Sequence, residues 1–297
     1  MSAPLYATGP TGPTPVPLPW WLRTLSRLPL WLLYTFTAAG TWVMRRVVRH
    51  RVQTVRTNIE RSFPHASARA LRRIENRYYA NLSQVLAEVI KIAALDREQL
   101  QRRVRFSNPQ LIQEVIAAGG SALVVCAHHC NWEWQLLALS AQLQVPVQAA
   151  YKPLRGSLAE GLMRALRSRF GAELVPAKEL LGSLLRRRDP RAIAMVADQA
   201  PVSSDFKHWT GFLEQATAFY MGPEKIAHAT RFAVIFAGMR RIGRGRYEVV
   251  CEQLAAAGER SAAGELTERY ARAVERQVRA APADWLWSHR RWKLPAP

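Results

Sequence analysis

The chain has 297 residues, 49% of them apolar, enough for a full-sized core, which sets aside intrinsic disorder as its organising state. Lys and Arg number 42 against 22 Asp and Glu, a formal net charge of +20. That surface calls for an anionic counterpart (nucleic acid, an anionic membrane face or an acidic protein) and argues against a setting with no polyanion partner. Three cysteines, Cys126, Cys130 and Cys251, are too few for a disulfide framework and point to a reducing compartment.

Residues 1–19 are rich in Pro, Gly, Thr and Ala without helical or strand period, and read as a disordered tail. An uncharged run follows from Leu28 to Met44, at the short end of the roughly 17–25 residues that span a bilayer. It is open to three readings. Thr37-Ala38-Ala39 offers small residues after an apolar stretch, as in a cleaved signal peptide, and a core helix is the plainer choice. A spanning or deeply interfacial anchor over residues 20–50 fits better. Trp20, Trp21, Trp31 and Trp42 resemble interfacial aromatics, and Arg45, Arg46, Arg49 and Arg51 lie toward the rest of the protein. The positive-inside rule then turns the remaining domain, 51–297, to the cytoplasm.

From Ser67, a plausible N-cap, apolar residues Leu71, Ile74, Tyr78, Leu82, Val85, Val89 and Ile92 recur at helical spacing. Beyond Gly119-Gly120 strands alternate with helices. Strands are expected at Ser121–His128, Val145–Ala150, Glu173–Val175, Ala192–Ala197, Ala233–Met239 and Tyr247–Cys251. Helices are expected at Trp132–Leu143, Leu158–Arg169, Ala177–Arg188, Glu224–Thr230 and Glu265–Ala281, with a long loop over 200–219. This alternation predicts an α/β fold, a mixed, mostly parallel central sheet flanked by helices. Active sites in such sheets lie outside the carboxyl ends of strands, and the first such end is His128.

The segment Cys126-Ala127-His128-His129-Cys130-Asn131-Trp132-Glu133-Trp134 holds the densest chemistry. Asn131 can cap the next helix, which puts Glu133 in its first turn, where a carboxylate can face His128 and orient it as a base. Helix-start amides there suit an oxyanion. Two plainer readings compete: His128 and His129 as satisfied core or loop histidines, or a zinc site with Cys126 and Cys130. Zinc suffers because adjacent strand residues point to opposite faces.

His128-x-x-x-x-Glu133, with Asn131-Trp132-Glu133-Trp134 inside it, resembles the signature of the lysophospholipid acyltransferase superfamily, and more narrowly its lipid A biosynthesis (secondary) acyltransferase branch. Further segments resemble that branch in order: Arg56-Thr57-Asn58-Ile59-Glu60-Arg61-Ser62-Phe63-Pro64, Tyr151-Lys152-Pro153-Leu154, Arg169-Phe170-Gly171, Ala197-Asp198-Gln199-Ala200-Pro201, and Pro282-x-x-Trp285-x-Trp287-x-His289-Arg290-Arg291-Trp292-Lys293. Each is weak alone; the ordered set covers nearly the whole chain after the tail. One departure is Cys130, where the family often has glycine, a residue that tolerates a positive φ that cysteine disfavours.

The resemblance implies acyl transfer without metal or cofactor, from a thioester on acyl carrier protein to a hydroxyl of a lipid A precursor. Another glycolipid, aminolipid or polyene lipid is the nearest alternative acceptor. His128 and Glu133 would be catalytic, and Asn131, Lys152, Arg169, Asp198 and Gln199 would bind substrate or order the site. The plain readings are a solvated helix end for Arg169, a strand-end cap for Asp198 and a buried polar loop for Gln199. Packing is the plain reading of Trp285 and Trp287. The implied location is the inner membrane, facing the cytoplasm, with acyl carrier protein, lipid and membrane as partners and no nucleic acid. The alternative of a different class is a non-catalytic cationic binder of membrane or nucleic acid, suggested by the charge of +20 and the terminal tryptophans and arginines. No nucleic-acid-binding motif supports the latter.

Overall fold

The computed structural model describes residues 18–143, 145–153, 156–187 and 189–295; up to residue 17, the expected tail lies outside them. Its main sheet is built from β1 (Val104–Phe106), β2 (Ala122–Cys126), β3 (Val147–Tyr151), β4 (Glu173–Pro176), β5 (Ala192–Val196), β8 (Ala233–Gly243) and β9 (Arg246–Ala255). The order across the sheet is β1-β9-β8-β2-β5-β3-β4. Strands β8, β2, β5, β3 and β4 run parallel to one another, β9 runs antiparallel to β8, and β1 runs parallel to β9.

Successive strand residues point to opposite faces, and both faces are buried. Leu123 and Val125 join Ile193, Met195, Val234 and Phe236 in one core, against α9 (Leu180–Arg186), α10 (Gly222–Thr230) and α11 (Glu265–Ala280). Ala122 and Val124 join Ala192, Ile235 and Ala237 in the other, against α5 (Arg97–Arg103), α6 (Gln110–Ala117), α7 (Trp132–Gln142) and α8 (Ser157–Arg167). Double-sided burial explains why β2 and β5 are continuous apolar runs in the sequence. Strand β2 lies between β5 and β8, so successive connections leave it in both directions; the crevice at its carboxyl end is where such a sheet opens a site.

The region expected as a long loop over 200–219 instead holds an antiparallel hairpin, β6 (Lys207–Phe212) with β7 (Gln215–Tyr220). Its turn residues Leu213 and Glu214 have φ of 50° and 61°. Such a turn is ordinarily announced by Asn-Gly or Asp-Gly, and Leu-Glu carries no such signal. Tertiary support replaces local propensity: the Leu213 N–H donates to Glu275 Oε1 at 2.8 Å, and the Leu213 side chain is buried.

The expected spanning anchor is not found: no helix among the described residues is long and apolar enough to cross a membrane. Pro29 separates α1 (Trp20–Arg27) from α2 (Leu30–Arg46), and α2 packs one side against α4 (Ala68–Lys91). Leu33 and Tyr34 are buried there, the Tyr34 hydroxyl donating to Glu88 Oε1 at 3.0 Å. A helix that spends one face on a protein partner has only the other for lipid. That other face exposes Trp31, Phe36, Trp42 and Val43. Between α2 and α4, α3 (Val52–Ser62) buries Val55 and Ile59 in the first core, and Ser67 caps α4 as expected, its Oγ accepting the Ala70 N–H at 3.3 Å.

Candidate active site

His128 lies just past the carboxyl end of β2, and Asp198 just past that of its neighbour β5; Cys126 pairs with Val196 in the ladder. Two residues beyond paired strand ends, the side chains meet. His128 Nδ1 is 2.6 Å from Asp198 Oδ1, and the His128 backbone N–H donates to Asp198 Oδ2 at 3.0 Å. The Trp285 indole N–H donates to that same oxygen at 2.8 Å. Asp198 is 2% exposed. Burial alone would push its carboxyl up; the adjacent His128 ring and the hydrogen bonds from His128 and Trp285 outweigh that and hold it down at about 2. An ionised Asp198 fixes the ring tautomer with the proton on Nδ1 and leaves Nε2 as the free base. Nε2 lies 3.2 Å from the Gln199 amide nitrogen, which donates to it, and the Trp132 ring meets the imidazole edge-on at 5.0 Å between centroids.

Glu133 stands in the first turn of α7, as expected, but the carboxylate on His128 Nδ1 is that of Asp198. No hydrogen bond joins His128 to Glu133 among the described residues. Glu133 instead accepts two bonds from Arg167, Nε to Oε2 at 2.8 Å and Nη2 to Oε1 at 2.6 Å, and a third from the Trp132 indole at 3.1 Å. Against the desolvation of its own burial, Arg167 is held above its ordinary value by this carboxylate. Glu133 faces the same cavity as His128, and the fork of Arg167 fits its two oxygens.

His128, Glu133, Arg167, Lys152 and Gln199 share one cavity of about 480 Å³. Its polar end holds these groups, and its walls continue inward along Val124, Leu136, Leu139, Ala149, Ala194 and Ala237. Lys152 is exposed at this end, one residue beyond β3.

Two of the expected substrate-binding residues lie elsewhere. Arg169 points back to donate from Nε to the Leu95 carbonyl at 3.2 Å, and Arg167, one helical half-turn earlier, reaches the cavity in its place. Asn131 is fully buried: its Oδ1 caps the Trp134 N–H at 2.9 Å and its Nδ2 donates to Glu88 Oε2 at 2.7 Å. His129 is a core histidine, its ring nitrogens 3.2 and 3.1 Å from the carbonyls of Met239 and Ala281. His128 and His129 thus turn to different surroundings, and the four candidate zinc ligands do not converge. Burial, with Asp198 and Glu133 nearby, pushes the Cys126 thiol up, so it is no thiolate nucleophile.

Cys130 has φ of 55°, the conformation for which glycine is suited, and its N–H donates to the Asp284 carbonyl at 2.8 Å. Arg167 and Trp285 are the contributors that sequence reading misses. Arg167 is one of several arginines in a basic helix, and Trp285 reads as packing, although an indole N–H near a buried carboxylate is a usable donor.

The bacterial lipid A biosynthesis acyltransferase family matches residues 20–294. The chain belongs to that family. A lipid A biosynthesis acyltransferase of Haemophilus influenzae is 24% identical over 136 residues, a match covering 46% of this chain and 42% of that protein.

Proposed function

We propose that this chain transfers a fatty acyl group from a thioester, carried by acyl carrier protein, to a hydroxyl of a lipid A precursor or a related lipid. The observation that carries this reading is the His128–Asp198 pair at the polar end of an apolar cavity of about 480 Å³. The cavity walls suit an acyl chain, whose thioester carbonyl would then lie beside His128.

The acceptor hydroxyl displaces the Gln199 amide from His128 Nε2 and gives up its proton there as its oxygen attacks the thioester carbon. The C–S bond then breaks, and the imidazolium returns the proton to the departing thiolate. Asp198 keeps the ring oriented and stabilises its positive charge. The Trp132 and Glu133 amides, which precede the first intrahelical bond of α7, are suited to the oxyanion. Glu133 acts with Arg167 as one unit that shapes the wall facing His128, and Lys152 meets the acceptor at the mouth. Holding thioester and hydroxyl together is worth up to ~7–11 kcal/mol, and a positioned base ~10²–10⁴-fold.

The location proposed is the cytoplasmic face of the inner membrane, with α1 and α2 lying in the interface rather than crossing it. Trp31 and Trp42, 66% and 60% exposed, support this docking, as do the arginines that follow α2. The net charge of +20 suits both an acidic carrier protein and an anionic surface.

The test is transfer of a labelled acyl group from acyl carrier protein into lipids of a membrane extract, with wild type beside His128→Ala. A labelled lipid that depends on His128 is expected. Near-normal labelling by folded His128→Ala protein would refute the general-base reading.

A further inference from the structure

Behind the catalytic loop, on the side away from the cavity, lies a carboxylate that the proposed reaction does not use. Glu88, on α4, is 0% exposed, and both its oxygens are engaged. The Tyr34 hydroxyl of α2 donates to Oε1 at 3.0 Å. The Asn131 amide and the Tyr247 hydroxyl of β9 both donate to Oε2 at 2.7 Å. Its backbone carbonyl also accepts the Trp134 indole N–H at 3.0 Å. Arg241 reaches the group through the Tyr247 hydroxyl, to which its Nη1 donates at 2.9 Å.

Burying a carboxylate without a direct cation is costly, and burial pushes Glu88 up against the hydrogen bonds of Tyr247, Asn131 and Tyr34. An apolar side chain would fill the same space at less expense. The arrangement does have one consequence that an apolar residue cannot supply. An amide presents an oxygen and a nitrogen of nearly the same shape, and only its partners decide which way it faces. With Glu88 accepting from Nδ2, Oδ1 of Asn131 is aimed at the Trp134 N–H, 2.9 Å away. That cap sets where α7 begins, and the first residues of α7 are Trp132, against the His128 ring, and Glu133, against Arg167.

We infer that Glu88 is a positioning residue for the catalytic loop: it holds the Asn131 amide in the orientation that caps α7 and thereby places Trp132 and Glu133 beside His128. The inference rests on the acyltransferase reading for its kinetic consequence, but the placement itself can be observed without turnover.

The experiment compares wild type, Glu88→Leu, Glu88→Gln and Tyr34→Phe. Two readouts are used: acyl transfer from carrier-protein thioester, and the amide-region NMR signal of the Trp132 indole N–H. Glu88→Leu fills the space and removes the acceptor of the Asn131 amide. Its kcat is expected to fall on the order of 10²-fold, as for a small displacement of reacting groups, with KM little changed and the Trp132 signal shifted. Glu88→Gln keeps one oxygen, which serves best where Asn131 and Tyr247 both donate, and its amide nitrogen then faces the Tyr34 hydroxyl, which can accept. Recovery of kcat and of the Trp132 signal is therefore expected in this conservative variant. Tyr34→Phe removes a hydrogen bond of the same carboxylate without touching Asn131. It should lower thermal stability yet keep kcat and the Trp132 signal, which a merely structural role for Glu88 would not predict. Wild-type kcat or an unmoved Trp132 signal in Glu88→Leu, or equal kinetic losses in Glu88→Leu and Tyr34→Phe, would each overturn the inference. Should the wild type itself transfer no acyl group, the acyltransferase reading fails, and the Trp132 signal still decides the placement.

Discussion

Asp198→Asn replaces one oxygen by an amide nitrogen at the centre of the site and keeps its volume. The wild-type carboxylate accepts three bonds, two on Oδ2 from the His128 N–H and the Trp285 indole, and one on Oδ1 from His128 Nδ1. Asparagine has a single oxygen, and it serves best where two donors converge. The amide NH₂ then faces Nδ1, which has to become an acceptor. That moves the imidazole proton to Nε2, the atom that has to take the proton from the acceptor hydroxyl. Loss of the correct tautomer costs on the order of 10³–10⁴-fold in turnover, or about 4–5.5 kcal/mol of barrier.

The assay is initial-rate acyl transfer, with thermal unfolding run in parallel to show that the variant folds. Asp198 does not line the cavity, so the loss is expected in kcat with KM for the thioester little changed. Nitrogen NMR of His128 should show the proton on Nδ1 in wild type and on Nε2 in the variant. Turnover within about tenfold of wild type in Asp198→Asn would refute the tautomer argument. If Glu133→Gln alone then abolished transfer, the orienting role would pass back to Glu133.

Glu133→Ala and Arg167→Ala should each lower turnover by orders of magnitude, and the double variant should lose little more, because the bidentate pair acts as one unit; additive losses would separate them. Arg169→Ala, which removes a bond to the Leu95 carbonyl and a contact with the Phe170 ring, both outside the cavity, should keep normal kcat and KM in the same assay. Acid unfolding followed by circular dichroism should reveal Asp198. Its folded pKa of about 2 lies below the ordinary 3.8, so its contribution of about 2 kcal/mol is fully present above pH ~4 and is lost as pH falls toward 2; Asp198→Asn should lack that limb. At Cys130, Cys130→Ala should be less stable than Cys130→Gly by about 1 kcal/mol in denaturant titration, since alanine keeps the positive-φ cost that glycine escapes; the reverse order would mean that side-chain volume dominates there. Replacing Trp31 and Trp42 together by serine should reduce binding to anionic vesicles in sedimentation while leaving the fold intact, because both indoles are exposed.

The sheet is largely legible in the sequence because β2 and β5 are unbroken apolar runs, and the alternation of such runs with helical periods has few architectural solutions. The elements that escape such a reading are those held by tertiary contacts. Strand β1 has only three residues, too short for any period to register, and exists because it pairs with β9. The β6–β7 turn has no turn residues and depends on Glu275. The uncharged run at Leu28–Met44 reads as an anchor because hydropathy does not distinguish a face given to lipid from one given to protein; Tyr34, reaching the buried Glu88, is the residue that tells them apart.

At the site, the two carboxylates near His128 differ in how they become visible. Glu133 is in the same short segment, so sequence proximity makes it the natural partner. Asp198 lies 70 residues away and reaches His128 only because β2 and β5 are hydrogen-bonded neighbours in register. A helix start so close to a strand end aims its first-turn side chain by the cap, and here the cap is Asn131, turned inward by Glu88. The geometry therefore divides the work expected of one carboxylate between two. Asp198, desolvated and met by three donors, suits the orientation of an imidazole; Glu133, matched to the fork of Arg167, suits the construction of a wall. In the proposed reaction, the motif of histidine and glutamate in one strand-to-helix turn thus marks the site, while the partner strand supplies the carboxylate that sets the histidine's proton.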